Sequence, residues 1–211
     1  MESASDPVQI VFCGGSSTGK TSLFQRLTSS SPVASSSTQN VIESKHLIQL
    51  KNGINLKLTV YDIPTFGLSS KNKELKDLLH SVDGALLVLN VTSRESLIDA
   101  TKWIKFIDTE CKNSKVLKYL LANKSDLPLI SRVITPQCLE TFARSADFVN
   151  WGYTVGDYRA ADVDYARGSV VKQKCVEEIF VELVRDILMK RYTNFYKLFP
   201  VPFKIVSVEK E

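Results

Sequence analysis

The stretch Val8-Gln9-Ile10-Val11-Phe12-Cys13-Gly14-Gly15-Ser16-Ser17-Thr18-Gly19-Lys20-Thr21-Ser22-Leu23-Phe24-Gln25-Arg26-Leu27 decides how this chain folds. Val8–Cys13 is an apolar run suited to a buried strand, and Ser22–Leu27 has the pattern of a helix. Between them, Gly14 to Thr21 match the phosphate-loop pattern G-x-x-x-x-G-K-[ST] in its expected strand–loop–helix setting. Gly14 and Gly19 allow a tight turn, so the backbone N–H groups along Ser16, Ser17 and Thr18 can point at a β-phosphate. The helix that follows adds its positive N-terminal end. Lys20 is placed to reach β- and γ-phosphate oxygens, the Thr21 hydroxyl to hold Mg²⁺, and Ser22 to flank the phosphates. The pattern predicts binding of a nucleoside phosphate.

Working outward, the chain reads as alternating strands and helices. Val41–Leu50 and Ile54–Tyr61 are β-rich runs joined by Lys51-Asn52-Gly53, a hairpin signal. Leu75–Leu79 reads as helix. Gly84–Val91 is a continuous apolar run, the pattern of a central parallel strand covered on both faces. Ser93–Cys111 carries Leu97, Ala100, Ile104 and Ile107 at helical spacing. Val116–Ala122 is another buried strand, Thr135-Pro136 opens a helix through Ala143, and Val176–Tyr192 is a long amphipathic helix. This order predicts an α/β fold, a mostly parallel sheet with helices on both faces and the hairpin strand antiparallel on one edge.

Length and composition agree with one domain: 211 residues, 44% hydrophobic. No apolar run approaches the roughly 18 residues of a membrane span. The start, Met1 to Pro7, lacks the features of a signal peptide, which gives an expectation of a cytoplasmic protein. Cys13, Cys111, Cys138 and Cys175 are scattered without metal-type pairing and read as reduced, structural thiols. A net charge of +4 is too mild to argue for nucleic acid. His46 and His80 stand alone and read as surface or packing residues.

The second informative motif is Asn123-Lys124-Ser125-Asp126, at the carboxyl end of the Val116–Ala122 strand, where ligands of open α/β sheets bind. A carboxylate at Asp126 can accept from the adjacent N1–H and N2–H₂ groups of guanine, which adenine does not present. Lys124 can lie over the purine face, and Asn123 can tie this loop to the phosphate loop.

With these two motifs, and with Val82 to Leu97 looking like a central strand and the turn into a third helix, the chain resembles the Ras superfamily of small GTPases, closest to its Rab-like branch. The resemblance runs from Val8 to Tyr192. It implies a P-loop NTPase G domain at 8–192 with a six-stranded sheet, a flexible 1–7, a tail at 193–211, and GTP or GDP with Mg²⁺ as ligands. By position, Asp62 matches the aspartate that holds Mg²⁺ through water, and Thr38 the switch threonine that meets Mg²⁺ and the γ-phosphate. The third base loop is open between two registers. The preferred one places it at Ser169-Val170-Val171 after a strand Val163–Arg167, leaving Phe148–Ala161 as an insertion. The other uses Tyr153-Thr154-Val155.

The second switch departs from the family's Asp-x-x-Gly-Gln, reading Asp62-Ile63-Pro64-Thr65-Phe66. Thr65 stands where a glycine offers its N–H to the γ-phosphate. Phe66 stands where a glutamine orients the attacking water and offers no hydrogen bond, so slow intrinsic hydrolysis is expected. The chain ends without prenylation cysteines and has Glu2 where myristoylation needs glycine, giving an expectation of no direct lipid anchor. The tail Phe195–Phe203 is rich in aromatics and proline. Packing back on the domain is the preferred reading, docking of a protein partner the alternative. The resemblance implies an effector or complex-subunit protein that reads the switches. Unprenylated Rab-like proteins serve in trafficking complexes, including ciliary transport, with membrane association only through partners. Two competing classes are a pseudo-GTPase interaction module and an ATP-using phosphotransferase; Asn123–Asp126 argues against the latter.

Overall fold

The protein is described here from a computed structural model, covering residues 6–28, 40–50, 55–65, 73–111, 116–154, 176–191 and 203–207. In chain order the elements are β1 (Val8–Cys13), α1 (Lys20–Thr28), β2 (Ile42–Leu50), β3 (Asn55–Asp62), α2 (Lys73–His80), β4 (Gly84–Asn90), α3 (Glu95–Glu110), β5 (Leu117–Asn123), α4 (Pro136–Ser145), β6 (Asn150–Tyr153), α5 (Val176–Arg191) and β7 (Phe203–Ser207). A short 3₁₀ turn, Leu129–Ser131, lies between β5 and α4.

Side chains alternate across a strand, so each central strand feeds two cores. Val8, Ile10 and Phe12 of β1 enter the layer beneath α1 and α5, while Val11 and Cys13 enter the layer beneath α2, α3 and α4. β4 is buried at all seven positions, as its unbroken apolar run predicts. On α5, Ile179, Phe180, Leu183, Val184, Ile187 and Leu188 form the buried stripe. Phe180 and Phe24 of α1 both pack against Phe12, at ring-centre distances of 6.2 and 6.0 Å. On the opposite face, Trp103 of α3 is fully buried. The α4 cap forms as the sequence predicts: the Thr135 hydroxyl accepts from the Cys138 N–H at 3.2 Å, with Pro136 at the first turn.

The sheet order is β6-β5-β4-β1-β3-β2-β7. β1 pairs in parallel with β3 and β4, β4 with β5, and β5 with β6. The chain therefore reverses its direction of strand addition at β1, which makes the carboxyl ends of β1, β3, β4 and β5 the expected ligand rim. At the other end, the Arg191 guanidinium grips Asp83 (2.7 and 2.6 Å) and also donates to the Asp6 and Pro7 carbonyls. Asp83 in turn accepts from the Gln9 N–H, so the end of α5 is fastened to the start of β1.

The sheet differs from expectation in three ways. Among the described residues it has seven strands rather than six, and the hairpin strand β2 is not the edge. β7, drawn from the tail, pairs antiparallel along Leu50–His46 of β2. Phe203 and Ile205 face inward and pack against the α1/α5 core, whereas Lys204 and Val206 are exposed. That alternation is what lets the short segment serve as a strand. The tail packs on the domain at 203–207; the rest of Phe195–Pro202 lies outside the described residues. The other difference concerns β6. Asn150–Tyr153 pairs with Tyr119–Ala122, so these residues are sheet and not inserted loop.

Candidate functional site

The phosphate loop owes its path to three residues with left-handed backbone. Gly14 (φ 140°), Ser17 (φ 56°) and Gly19 (φ 89°) turn the chain sharply off β1 and into α1. A Cβ at Gly14 would sit 2.3 Å from the Val88 carbonyl oxygen of β4, backbone that cannot move aside. A brace from the Thr18 hydroxyl to the Gly15 carbonyl, 3.1 Å long, holds the loop's middle. Ser16 and Ser17 are exposed on it, and Ser22 is exposed on the first turn of α1.

Lys20 is buried at the start of α1, only 7% exposed. Its ammonium donates to the carbonyls of Gly14 (3.0 Å) and Gly15 (2.9 Å) and to the Thr65 hydroxyl (3.3 Å). Burial pushes its pKa below the ordinary lysine value; Asp62, Cys13 and Asp99 pull the other way. The next residue, Thr21, donates its hydroxyl to Asp62 Oδ2 at 2.6 Å. Asp62, at the end of β3, is fully buried, and its Oδ1 has no hydrogen-bond partner among the described residues. Burial raises the Asp62 carboxyl pKa, partly offset by the Thr21 bond and by Lys20.

A buried carboxylate oxygen left unpaired beside a threonine hydroxyl suits a hard divalent cation, because Mg²⁺ takes oxygen ligands and keeps several waters. Thr21 and Asp62 would hold it, and the ion would neutralise phosphate charge at that point. Thr38, the third expected ligand, lies outside the described residues. Asp62→Asn keeps the shape of the side chain but removes the charge. It is expected to weaken the Mg²⁺-dependent part of GTP affinity by about tenfold, the scale of one charged interaction. Titration with and without EDTA reads this directly.

The base side is built at the end of β5. Asn123 donates its amide to the Thr18 carbonyl of the phosphate loop at 2.9 Å, as the sequence leads one to expect. A Cβ at Gly19 would meet that same amide nitrogen at 2.3 Å, so the glycine makes room for the tie between the two loops. Lys124 takes a left-handed turn (φ 63°), Ser125 is buried and Asp126 is exposed at the rim.

One further contributor carries no sequence signal, and a second was named only in the other register of the third base loop. Arg132 donates to the carbonyls of Ser125 and of Leu127, the latter at 3.0 Å, clamping the backbone on both sides of Asp126. A single arginine past the motif carries no pattern that would flag it. The second is Thr154, whose hydroxyl donates to Asn123 Oδ1 at 2.8 Å and whose N–H donates to the Ala122 carbonyl at 2.9 Å. The chain thus leaves the sheet at Thr154, directly beside the base motif. β6 at Asn150–Tyr153 pairs with β5, the place beside it that the preferred register gave to Val163–Arg167, which lies outside the described residues. Of the other register's residues, Tyr153 is buried in the sheet and Thr154 is at the rim. Val155 and Ser169, Val170 and Val171 lie outside the described residues.

From the second switch, Ile63 and Pro64 are buried and the Ile63 N–H donates to the Phe12 carbonyl at 3.1 Å, which carries the chain over the phosphate loop to Thr65. Phe66 lies outside the described residues. The thiols of Cys13, Cys111 and Cys138 are unbridged. Burial raises the Cys13 thiol pKa far above its ordinary value and moves Cys111 up to about 11, consistent with unreactive structural thiols. His46 is buried in β2 with its Nε2 2.9 Å from the Ser44 hydroxyl, a packing role.

Known proteins resemble this chain in sequence. The family model described as "Ras family" matches residues 9–189. The chain is 30% identical over 184 residues to Ras-related protein Rab-12 of Homo sapiens, spanning 87% of this chain and 68% of that protein. It is 27% identical over 128 residues to Ras-related protein Rab-18 of Caenorhabditis elegans, 61% of each. NF-kappa-B inhibitor-interacting Ras-like protein 2 of Mus musculus is 30% identical over 154 residues, 72% of this chain and 79% of that protein. A phosphate loop braced to a base motif, a threonine–aspartate pair beside the buried lysine, and a match from β1 into α5 place this chain in the Ras family, as a divergent, Rab-like small GTPase.

Proposed function

We propose that this protein is a guanine-nucleotide switch or GTP-held scaffold with slow intrinsic hydrolysis, working through a protein partner that reads its switch surfaces. The observation that carries this reading is the convergence on one rim of Lys20, the Thr21–Asp62 pair and the Asn123 tie from base loop to phosphate loop. Lys20 and the backbone of residues 14–19 serve the phosphates, and Asp126 and Lys124 serve the guanine. Slow hydrolysis rests on Phe66, a side chain unable to orient water. By likeness to Rab proteins, the partner belongs to intracellular trafficking, and the protein works in the cytoplasm.

The second reading, a pseudo-GTPase whose nucleotide is structural or absent, draws support from Thr65 standing on Lys20 where a glycine is usual. Chromatography of the nucleotide that copurifies, followed by single-turnover GTP hydrolysis with Mg²⁺, separates the two. Bound guanine nucleotide, outcompeted by GTP and not by ATP, with turnover well below an ordinary small GTPase, is the expected result. Ordinary turnover would overturn the role given to Phe66. Failure to bind guanine nucleotide in excess would favour the pseudo-GTPase.

A further inference from the structure

We infer that the Thr65 hydroxyl is a built-in stand-in for a γ-phosphate oxygen, and that it biases this nucleotide site toward the diphosphate. The inference rests on the nucleotide reading above and goes beyond it.

An ammonium group has three N–H donors and no acceptor. In this structure all three are used inside the protein: on the Gly14 carbonyl, the Gly15 carbonyl and the Thr65 hydroxyl. Lys20 is 7% exposed, so any donor that loses its partner loses it in a place water scarcely reaches. A ligand that engages Lys20 must therefore replace an internal acceptor for each bond it takes.

The two nucleotides differ in how many they take. A diphosphate offers Lys20 its terminal β-phosphate, at the cost of one internal bond, and the Thr65 contact can stay. A triphosphate asks for oxygens from both β- and γ-phosphates, and two internal acceptors must go. A phosphate-loop lysine serves both β- and γ-phosphates, and of its three acceptors here only the Thr65 hydroxyl lies outside the loop that cradles the β-phosphate, so it is the acceptor a γ-phosphate would replace. A glycine at this position would have no hydroxyl to lose. Thr65 is also held from behind, since Ile63 and Pro64 before it are buried and Ile63 is bonded to Phe12. Its hydroxyl is thus presented to Lys20 by a short, anchored stretch of backbone, and displacing it moves the start of the second switch.

The test compares Thr65→Val, which keeps the branched shape and removes the hydroxyl, with Thr65→Ser, which keeps the hydroxyl. Dissociation constants for GDP and GTP are measured by competition against a fluorescent guanine nucleotide, on the full chain with Mg²⁺. In Thr65→Val the ratio of the GTP constant to the GDP constant is expected to fall by roughly five- to tenfold, the worth of one hydrogen bond to a charged group at this distance. Thr65→Ser is expected to stay within about twofold of the unaltered protein. An unchanged ratio in Thr65→Val, with both nucleotides still bound, overturns the inference and leaves the nucleotide site intact. A fall of the same size in Thr65→Ser also overturns it, because backbone shape and not the hydroxyl would then set the ratio. If the unaltered protein binds neither nucleotide, the guanine-nucleotide reading and this inference fall together.

Discussion

Replacing Lys20 with methionine is expected to lower guanine-nucleotide affinity by at least about a hundredfold while leaving the fold nearly as stable as before. The side chains are similar in length, so the change removes the charge and its hydrogen bonds more than the volume. Bonds to a charged group are worth about 1.5–3 kcal/mol each, and two phosphate contacts together account for two or more factors of ten. On the stability side two effects oppose each other. The buried ammonium is disfavoured by desolvation, as the direction of its pKa shift shows, so methionine relieves that cost. Against this, the carbonyls of Gly14 and Gly15 lose a donor. The net change in Tm without nucleotide is expected to stay within about 4 °C. Nucleotide titration and a thermal scan of the same preparation check both halves. A large loss of Tm would mean that Lys20 is chiefly a structural brace for the loop.

The second large effect concerns the strand that the tail contributes. Ending the chain at Pro202 removes β7, with Phe203 and Ile205 packed on the α1/α5 core. Two partly buried apolar side chains and their share of covered β2 surface contribute roughly 3 kcal/mol. For a domain of this size that lowers Tm by roughly 6–12 °C. Removal also bares the edge of β2 from His46 to Leu50, and an open strand edge invites pairing between molecules. The truncated protein is therefore expected to self-associate as well as melt early, read by light scattering and a thermal scan. Val206→Ala, at an exposed position of the same strand, is expected to change stability by less than about 0.5 kcal/mol. A truncated protein as stable and monomeric as the full chain would show that β7 is dispensable to the sheet.

Where the sequence pattern was self-contained, it determined the outcome. The apolar runs Val8–Cys13 and Gly84–Val91, the helical stripes of α3 and α5 and the Thr135–Pro136 cap all depend on neighbours a few residues away, and each forms the element its pattern predicts, the second run as strand Gly84–Asn90. The phosphate loop is of the same kind, since its glycines and lysine act within one turn of chain. Asn123 was legible for a different reason. It stands at the end of a recognisable strand, and parallel strands in an α/β sheet bring their carboxyl ends to one rim.

Contacts between segments distant in sequence were decided by the tertiary structure alone. Strand β7 is only five residues long, and nothing local in Phe203–Ser207 says that β2 will accept it; the free edge of β2 does. β6 is shorter still, four residues containing a glycine, and only its pairing with Tyr119–Ala122 marks it as a strand. Arg132 and Thr154 join the base loop because folding brings the carbonyls of Ser125 and Leu127 and the amide of Asn123 within their reach. The sequence by itself determined that a phosphate and a purine are read by this chain's loops. Folding decided which strands close the sheet and which polar groups brace those loops, because edge pairing and long-range hydrogen bonds depend on partners that no local pattern encodes.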